Sequence, residues 1–188
     1  GAWVLRRACL TAAGWTLPDQ PAPTISVNLS PRQLRDADLI RHIRAALEES
    51  GLDPHRLVLE LTESALIAQP EVAVEQLRRI KHLGIRLAID DFGSGYASLS
   101  YLRQFPADVI KIDRSYTGSI QTPGDVPAMV RGILDLGRTL ELETIAEGIE
   151  TSAQLDCLTA EGCVFGQGYL FAQAVDEEDV SRLLVGRS

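Results

Sequence analysis

Asp90 and Asp91 are adjacent carboxylates at the end of an apolar run, Ile85 to Ile89, and are followed by Phe92-Gly93-Ser94-Gly95. The run is too short for a helix and too apolar for a loop, so it reads as a buried strand that stops at the aspartates. Gly93 and Gly95 then let the backbone turn tightly and approach whatever the carboxylates hold. A short helical segment is expected from Tyr96 to Gln104. A second apolar run, Val109-Ile110, then delivers Lys111 and Asp113 to what should be the same end of a sheet. Adjacent acids, a glycine loop and a lysine form a layout for handling phosphate through a metal ion.

Further polar residues sit at the ends of other apolar runs: Asn28 after Ile25 and Val27, Glu60 within Leu57 to Leu61, and Glu147 after Ile145. Asn28, Glu60, Asp90 and Asp91 offer oxygen only, a donor set that suits Mg²⁺ or Mn²⁺ rather than zinc. Two adjacent aspartates can each reach a different cation or bridge a pair, which would activate water at a phosphodiester. Lys111 would add positive charge on the phosphate or the nucleophile, and Glu147 could ligate or act as a base. Taken singly, each has a plainer reading. Asn28 resembles a helix cap, Asp90-Asp91 suits a turn, and Lys111 could pair with Asp113 on the surface. Glu60 is the hardest to explain that way, because a glutamate inside an apolar strand needs a partner. Asp91-Phe92-Gly93 spells a kinase metal-binding tripeptide, but the accompanying kinase patterns are missing. His42, His55 and His82 fall in helices or turns and read as solvent-facing.

The elements that position these residues alternate. A helix covers Gly1 to Leu10, with Val4, Leu5, Ala8, Cys9 and Ala12 on one face; no cap precedes it, so an upstream segment is expected. A strand spans Ile25 to Ser30. Ser30, Pro31 and Gln33 form a capping box that opens a helix reaching about Ser50 and stopping at Gly51. Strand Arg56 to Thr62, helix Pro70 to Leu83 and the central stretch follow. A helix starting at Thr122-Pro123-Gly124-Asp125 and ending at Leu140 is apolar over a wide arc, suggesting two buried faces, one of them in a dimer. Strand Glu143 to Glu147, helix Ser152 to Ala160, a glycine-punctuated strand or turn from Val164 to Phe171, and helix Glu177 to Val185 complete the chain. Strands alternating with helices argue for parallel β-α units. A doubly wound sheet would gather its ligand contacts at one switch point. Here they are spread over five strand ends, as at the mouth of a TIM barrel.

Length and composition bound the function. The 188 residues fit one domain with a real core. Apolar residues make up 45%, and no run is long enough to cross a bilayer nor any start resembles a signal peptide, so a cytoplasmic domain without direct membrane insertion is expected. A formal charge of −8 argues against polymeric nucleic acid as a partner but leaves room for a small phosphate ligand held through cations. Cys9, Cys157 and Cys163 show no paired spacing and read as reduced apolar residues.

At these residues the chain closely resembles the EAL domain, the cyclic di-GMP phosphodiesterase family of bacterial signalling proteins. The matching segments are Val27-Asn28-Leu29-Ser30, Glu60-Leu61-Thr62-Glu63, Asp90-Asp91-Phe92-Gly93-Ser94-Gly95-Tyr96, Lys111-Ile112-Asp113, Ala146-Glu147-Gly148-Ile149-Glu150 and Gln167-Gly168-Tyr169-Leu170-Phe171, in family order over nearly the whole chain. The resemblance implies a modified TIM barrel, Mg²⁺ or Mn²⁺, and conversion of cyclic di-GMP to linear pGpG. It implies metal ligation by Asn28, Glu60, Asp90 and Asp91, with Asp91 between two ions, and catalysis involving Lys111, Asp91 and Glu147, the last also toward the metal. Gln167 and Glu150 match polar residues near the pocket. Glu63 matches a glutamate that steadies the loop after Asp91, a loop also implicated in dimerisation.

One departure stands out. The Glu-Ala-Leu tripeptide that names the family, with its ligand glutamate, should lie upstream of Trp3, and it occurs nowhere in these residues. The chain is therefore expected to be a single EAL-type domain over residues 1–188, N-terminally truncated and lacking its first strand or strands. It should have an open barrel seam and a weakened metal site. A homodimer and an upstream sensory or cyclase-type domain are the implied partners. The competing expectations are a catalytically inactive EAL module that only binds the dinucleotide, and a dimerising signalling module.

Overall fold

The computed structural model describes residues 1–17, 20–67, 70–94, 102–120, 124 and 126–185. Among the described residues, six parallel strands pair in sequence order: β1 (Ile25–Asn28), β2 (Leu57–Thr62), β3 (Arg86–Phe92), β4 (Val109–Ile112), β5 (Glu143–Ala146) and β6 (Phe165–Gly166). Each strand therefore neighbours the next in sequence, with none of the order reversal a doubly wound sheet requires. The result is a half-barrel of the TIM type, incomplete, with β1 and β6 as its edges among the described residues.

Strand alternation sorts the side chains onto two surfaces. Leu57, Leu59 and Leu61 of β2, with Leu87, Ile89, Ile110 and Ile112, face the surrounding helices in one continuous core. Each such side chain contributes about 1.5–3 kcal/mol by leaving water. On the concave surface Val58, Ala88 and Val109 form a separate small cluster with Ile145 packed against it. This second cluster is the floor beneath the carboxyl ends of the strands. Arg86 and Glu143 close it at the opposite end with an ion pair of 2.7 Å.

The α-helices among the described residues are α1 (Ala2–Ala13), α2 (Pro31–Leu34), α3 (Leu39–Ser50), α4 (Glu63–Ile67), α5 (Pro70–Lys81), α6 (Arg114–Gly118), α7 (Ala128–Leu140), α8 (Ser152–Ala160) and α9 (Glu177–Val185). The capping box at Ser30 forms, with Gln33 as its reciprocal partner. The helix it opens does not run on to Ser50. It ends at Leu34, because the Asp36 carboxylate accepts the Asp38 N–H at 3.0 Å and the Asp36 carbonyl accepts that of Leu39. Such local bonds offer the backbone an alternative to helix. Gly51, at φ 67°, then closes α3.

Two short helices, α4 and α6, have five residues each, too few to leave a periodic signal. The segment expected to be helical from Tyr96 lies mostly outside the described residues, as do Thr122, Pro123 and Asp125. α7 begins later than expected, at Ala128. Its apolar arc mostly turns inward: Val130, Ile133, Leu134 and Gly137 are buried, Leu136 and Leu140 are half-buried, and Met129 is exposed. All three cysteines are buried. Among the described residues, no helix is long and apolar enough to cross a membrane.

Candidate active site

β3 does not stop at the aspartates but continues through them to Phe92. Ile89 pairs with Ile110 and Phe92 with Ile112, so three steps along β3 match two along β4. This is a β-bulge, and Asp91 adopts the left-handed backbone it needs, at φ 53°. In a regular strand adjacent side chains point to opposite faces. The bulge cancels that alternation and keeps both aspartates on the concave side. Carboxylate oxygens of Asp90, Asp91 and Glu147 consequently lie within 4.8 Å of one another.

Lys111 stands beside them. Its register partner on β5 is Ile145, two residues before Glu147, so the lysine and the glutamate share a face. The Lys111 Nζ is 2.6 Å from Oε1 of Glu147, 2.9 Å from Oε2 of Glu60 and 3.0 Å from Oδ1 of Asp90. Lys111 is 4% exposed and Glu60 7%, so neither is a surface group. The pairing of Lys111 with Asp113 is thereby ruled out; Asp113 instead caps α6, accepting the Ser115 N–H at 2.7 Å.

Three carboxylates, those of Glu60, Asp90 and Glu147, share this one ammonium, and the Asp91 carboxylate lies beside those of Asp90 and Glu147. The crowding shows in the acidities of Asp91 and Glu147. Burial pushes the Asp91 carboxyl up, and the charges of Asp90 and Asp113 push it further, against a smaller opposing pull from Lys111. Burial also raises Glu147, more than the hydrogen bond from Lys111 lowers it. Burial alone would lower Lys111, but the hydrogen bonds to Glu147 and Glu60, with the Asp90 carboxylate close by, outweigh it and hold the ammonium above its ordinary value. Asp113 goes the other way: burial would raise it, yet hydrogen bonds from Ser115 leave it lowered.

The loop after the bulge is pinned by residues from two helices. Glu63, at the start of α4 and 4% exposed, accepts the Gly93 N–H at 3.0 Å. The Tyr116 hydroxyl, from α6, donates to the Gly93 carbonyl. Sequence reasoning passed over Tyr116, since nothing local links it to Gly93. It also gave Asp113 no role of its own, although Asp113 shares strand parity with Lys111, a signal that was there to read. Asn28 pairs in register with Glu60 but is solvent-exposed, without a side-chain hydrogen bond among the described residues. It borders a cleft of about 160 Å³ at the β1 edge. Gln167 is exposed in a larger cleft, about 510 Å³, at the β6 edge. Glu150 is exposed and its carboxylate makes no ion pair or hydrogen bond among the described residues. Asn28, Gln167 and Glu150 thus flank the acidic cluster rather than join it. His55 and His82 are exposed and His42 half-buried.

The cluster suits a hard divalent cation. Its donors are all oxygen, its negative charge exceeds what one ammonium neutralises, and Asp90 Oδ1 is buried without a directed hydrogen bond although it lies near Lys111. The family model of the EAL domain matches residues 1–174. The chain belongs to the EAL domain family. It is 44% identical over 188 residues to the uncharacterized protein y4lL of Sinorhizobium fredii, a match that covers all of this chain and 22% of that protein. It is 39% identical over 180 residues to MucR of Pseudomonas aeruginosa, a bifunctional diguanylate cyclase/cyclic di-GMP phosphodiesterase, covering 96% of this chain and 26% of MucR. The chain therefore spans about a quarter or less of these relatives' length. The structure of the MucR phosphodiesterase in complex with cyclic di-GMP matches this EAL fold with a TM-score of 0.89, covering 96% of this chain and 73% of that one. BlrP1 of Klebsiella pneumoniae, in complex with manganese and cyclic di-GMP, matches with a TM-score of 0.78 at 29% identity, over 92% of this chain and 42% of that one.

Proposed function

We propose that the chain is a metal-dependent phosphodiesterase that opens cyclic di-GMP to linear pGpG. The observation that carries this reading is the gathering of Asp90, Asp91 and Glu147 around the buried ammonium of Lys111, at strand carboxyl ends, in a family that includes the cyclic di-GMP phosphodiesterase MucR. Asp90, Asp91 and Glu147 are the residues that would hold Mg²⁺ or Mn²⁺, with Glu60 and Asn28 as further oxygen donors on β2 and β1. When bound, such a cation supplies Lewis-acid polarisation of the phosphodiester and a more acidic water.

The chain's own residues have distinct tasks. Lys111, held by three carboxylates and raised in pKa, stays charged and serves as a fixed positive charge toward the phosphate rather than as a base. Glu147, half-buried with a raised carboxyl, is suited to take a proton from the attacking water at its carboxylate. Glu63 acts through Gly93 to keep Asp91 in place. Gln167, in the cleft at the β6 edge, and Glu150 offer polar contacts to the dinucleotide outside the reacting phosphate. A second copy and a sensory or cyclase-type domain are the partners this reading supplies.

The test is incubation of the 188-residue chain with cyclic di-GMP and Mn²⁺, with pGpG measured by chromatography. Slow turnover is the expected result, because Asn28 sits on an edge strand and leaves the β1 side of the cluster open to solvent. Cyclic di-GMP binding with no pGpG would replace the enzyme reading by a binding module.

A further inference from the structure

We propose that Tyr116 is a positioning residue which, together with Glu63, clamps the Gly93 peptide and so holds Asp91 in its left-handed conformation. The inference rests on the reading of Asp91 as a cation ligand. Two residues of the stretch Asp91-Phe92-Gly93 are left-handed, Asp91 at φ 53° and Gly93 at φ 94°. For a residue with a Cβ, that backbone costs roughly 1–2 kcal/mol and persists only where the surroundings over-determine it. Local bonds contribute little: Ser94 Oγ donates to the Asp91 carbonyl at 2.7 Å, but Ser94 is itself exposed.

The stronger constraints come from outside the loop. Glu63 accepts the N–H of Gly93 and Tyr116 donates to its carbonyl, so both polar groups of this residue are bound to different helices. Packing adds to the grip. A Cβ on Gly93 would lie 3.0 Å from Cε2 of Tyr116 and 3.2 Å from Cδ1 of Ile133, so the tyrosine ring and α7 leave the loop no room to relax toward them. Tyr116 also lies five residues beyond Lys111, on the helix that Asp113 caps. One short segment thus supplies the ammonium and the hydroxyl that fixes the opposing aspartates.

Tyr116→Phe keeps the ring and removes only the hydroxyl. Amide hydrogen exchange by NMR reads the loop, and the EPR signal of free Mn²⁺ reads the cation site. Expected are faster exchange at Gly93 and Mn²⁺ binding weakened roughly five-fold, the factor one net hydrogen bond carries, with exchange at Leu59 and Ile110 unchanged. The Glu63→Gln variant should loosen the same amide, and the double variant should be less than additive. Unchanged exchange at Gly93, or equal acceleration throughout the core, overturns the clamp. Faster exchange with wild-type Mn²⁺ affinity overturns its link to Asp91. Should the unmodified chain bind no Mn²⁺, the cation reading fails, and the exchange comparison still decides whether Tyr116 holds the loop.

Discussion

The Lys111 Nζ lies 2.9 Å from Oε2 of Glu60, bridging strands β4 and β2 across 51 residues of sequence, with both side chains almost wholly buried. This pair answers the difficulty that the sequence posed at Glu60. An ionised glutamate between Leu59 and Leu61 is tolerable only beside a cation, and the same ammonium also meets Asp90 and Glu147. The buried charge is therefore shared by three strands rather than belonging to one pair.

Lys111→Met should remove the only charge that compensates Glu60, Asp90 and Glu147 among the described residues. Breaking a buried ion pair from one side typically costs about 3–5 kcal/mol. Urea unfolding of the metal-free protein at neutral pH should show a loss of that order, and saturating Mn²⁺ should restore part of it. A loss below about 1 kcal/mol would mean that solvent, not Lys111, neutralises these carboxylates.

Asp91→Asn separates ligation from folding. Asparagine tolerates the left-handed backbone about as well as aspartate, so the bulge should survive. The variant also removes a carboxyl that burial holds above its ordinary pKa, so the metal-free protein should melt at a higher temperature. Cyclic di-GMP turnover should fall at least about 100-fold, the scale of losing one group in a preorganised polar site. Mn²⁺ should no longer raise the melting temperature; a full Mn²⁺ response in the variant would remove Asp91 from the ligand set.

The acidities set a pH dependence with opposed contributions. Asp91 and Glu147 are raised, so their contribution to stability is complete below their unfolded values and is lost as pH rises through the folded ones. Asp113 is lowered, so its contribution is present above its unfolded value and is lost as pH falls through the folded one. Between about pH 5 and 8, melting of the metal-free protein should not rise with pH on account of this cluster. The stabilisation added by Mn²⁺ should grow over the same interval, because the cation competes with protons on Asp91 and Glu147. An Mn²⁺ response that shrinks toward neutral pH would contradict both assignments.

Gly168→Ala should unseat the β6 edge. A Cβ there would lie 2.1 Å from the carbonyl oxygen of Ile149 and 2.3 Å from its nitrogen, backbone atoms that cannot step aside. Two bonds would be strained together, from Ile149 N–H to the Gln167 carbonyl and from Leu170 N–H to the Ile149 carbonyl. A stability loss of roughly 1–3 kcal/mol in thermal melts is expected, with displaced Gln167 resonances and unchanged ones for Lys111.

Much of this was legible in the residues themselves, because it depends on neighbours a few positions away. The two-residue alternation of Ile25 to Leu29, the apolar run of β2 around Glu60 and the capping box at Ser30 are short-range patterns, and they formed as read. The donor chemistry was equally plain: oxygen ligands and one lysine at successive strand ends. What alternation could not reveal was that Asp90 and Asp91 face the same side, since a regular strand sends them apart and only pairing against β4 creates the bulge. Nor could any local rule choose Glu60, Asp90 and Glu147 as the partners of Lys111, exclude Glu150 from the cluster, or bring Tyr116 to Gly93. Composition, period and caps are written in adjacent residues, whereas strand register and the meeting of distant charges are decided when the core packs and each buried polar group must find its partner.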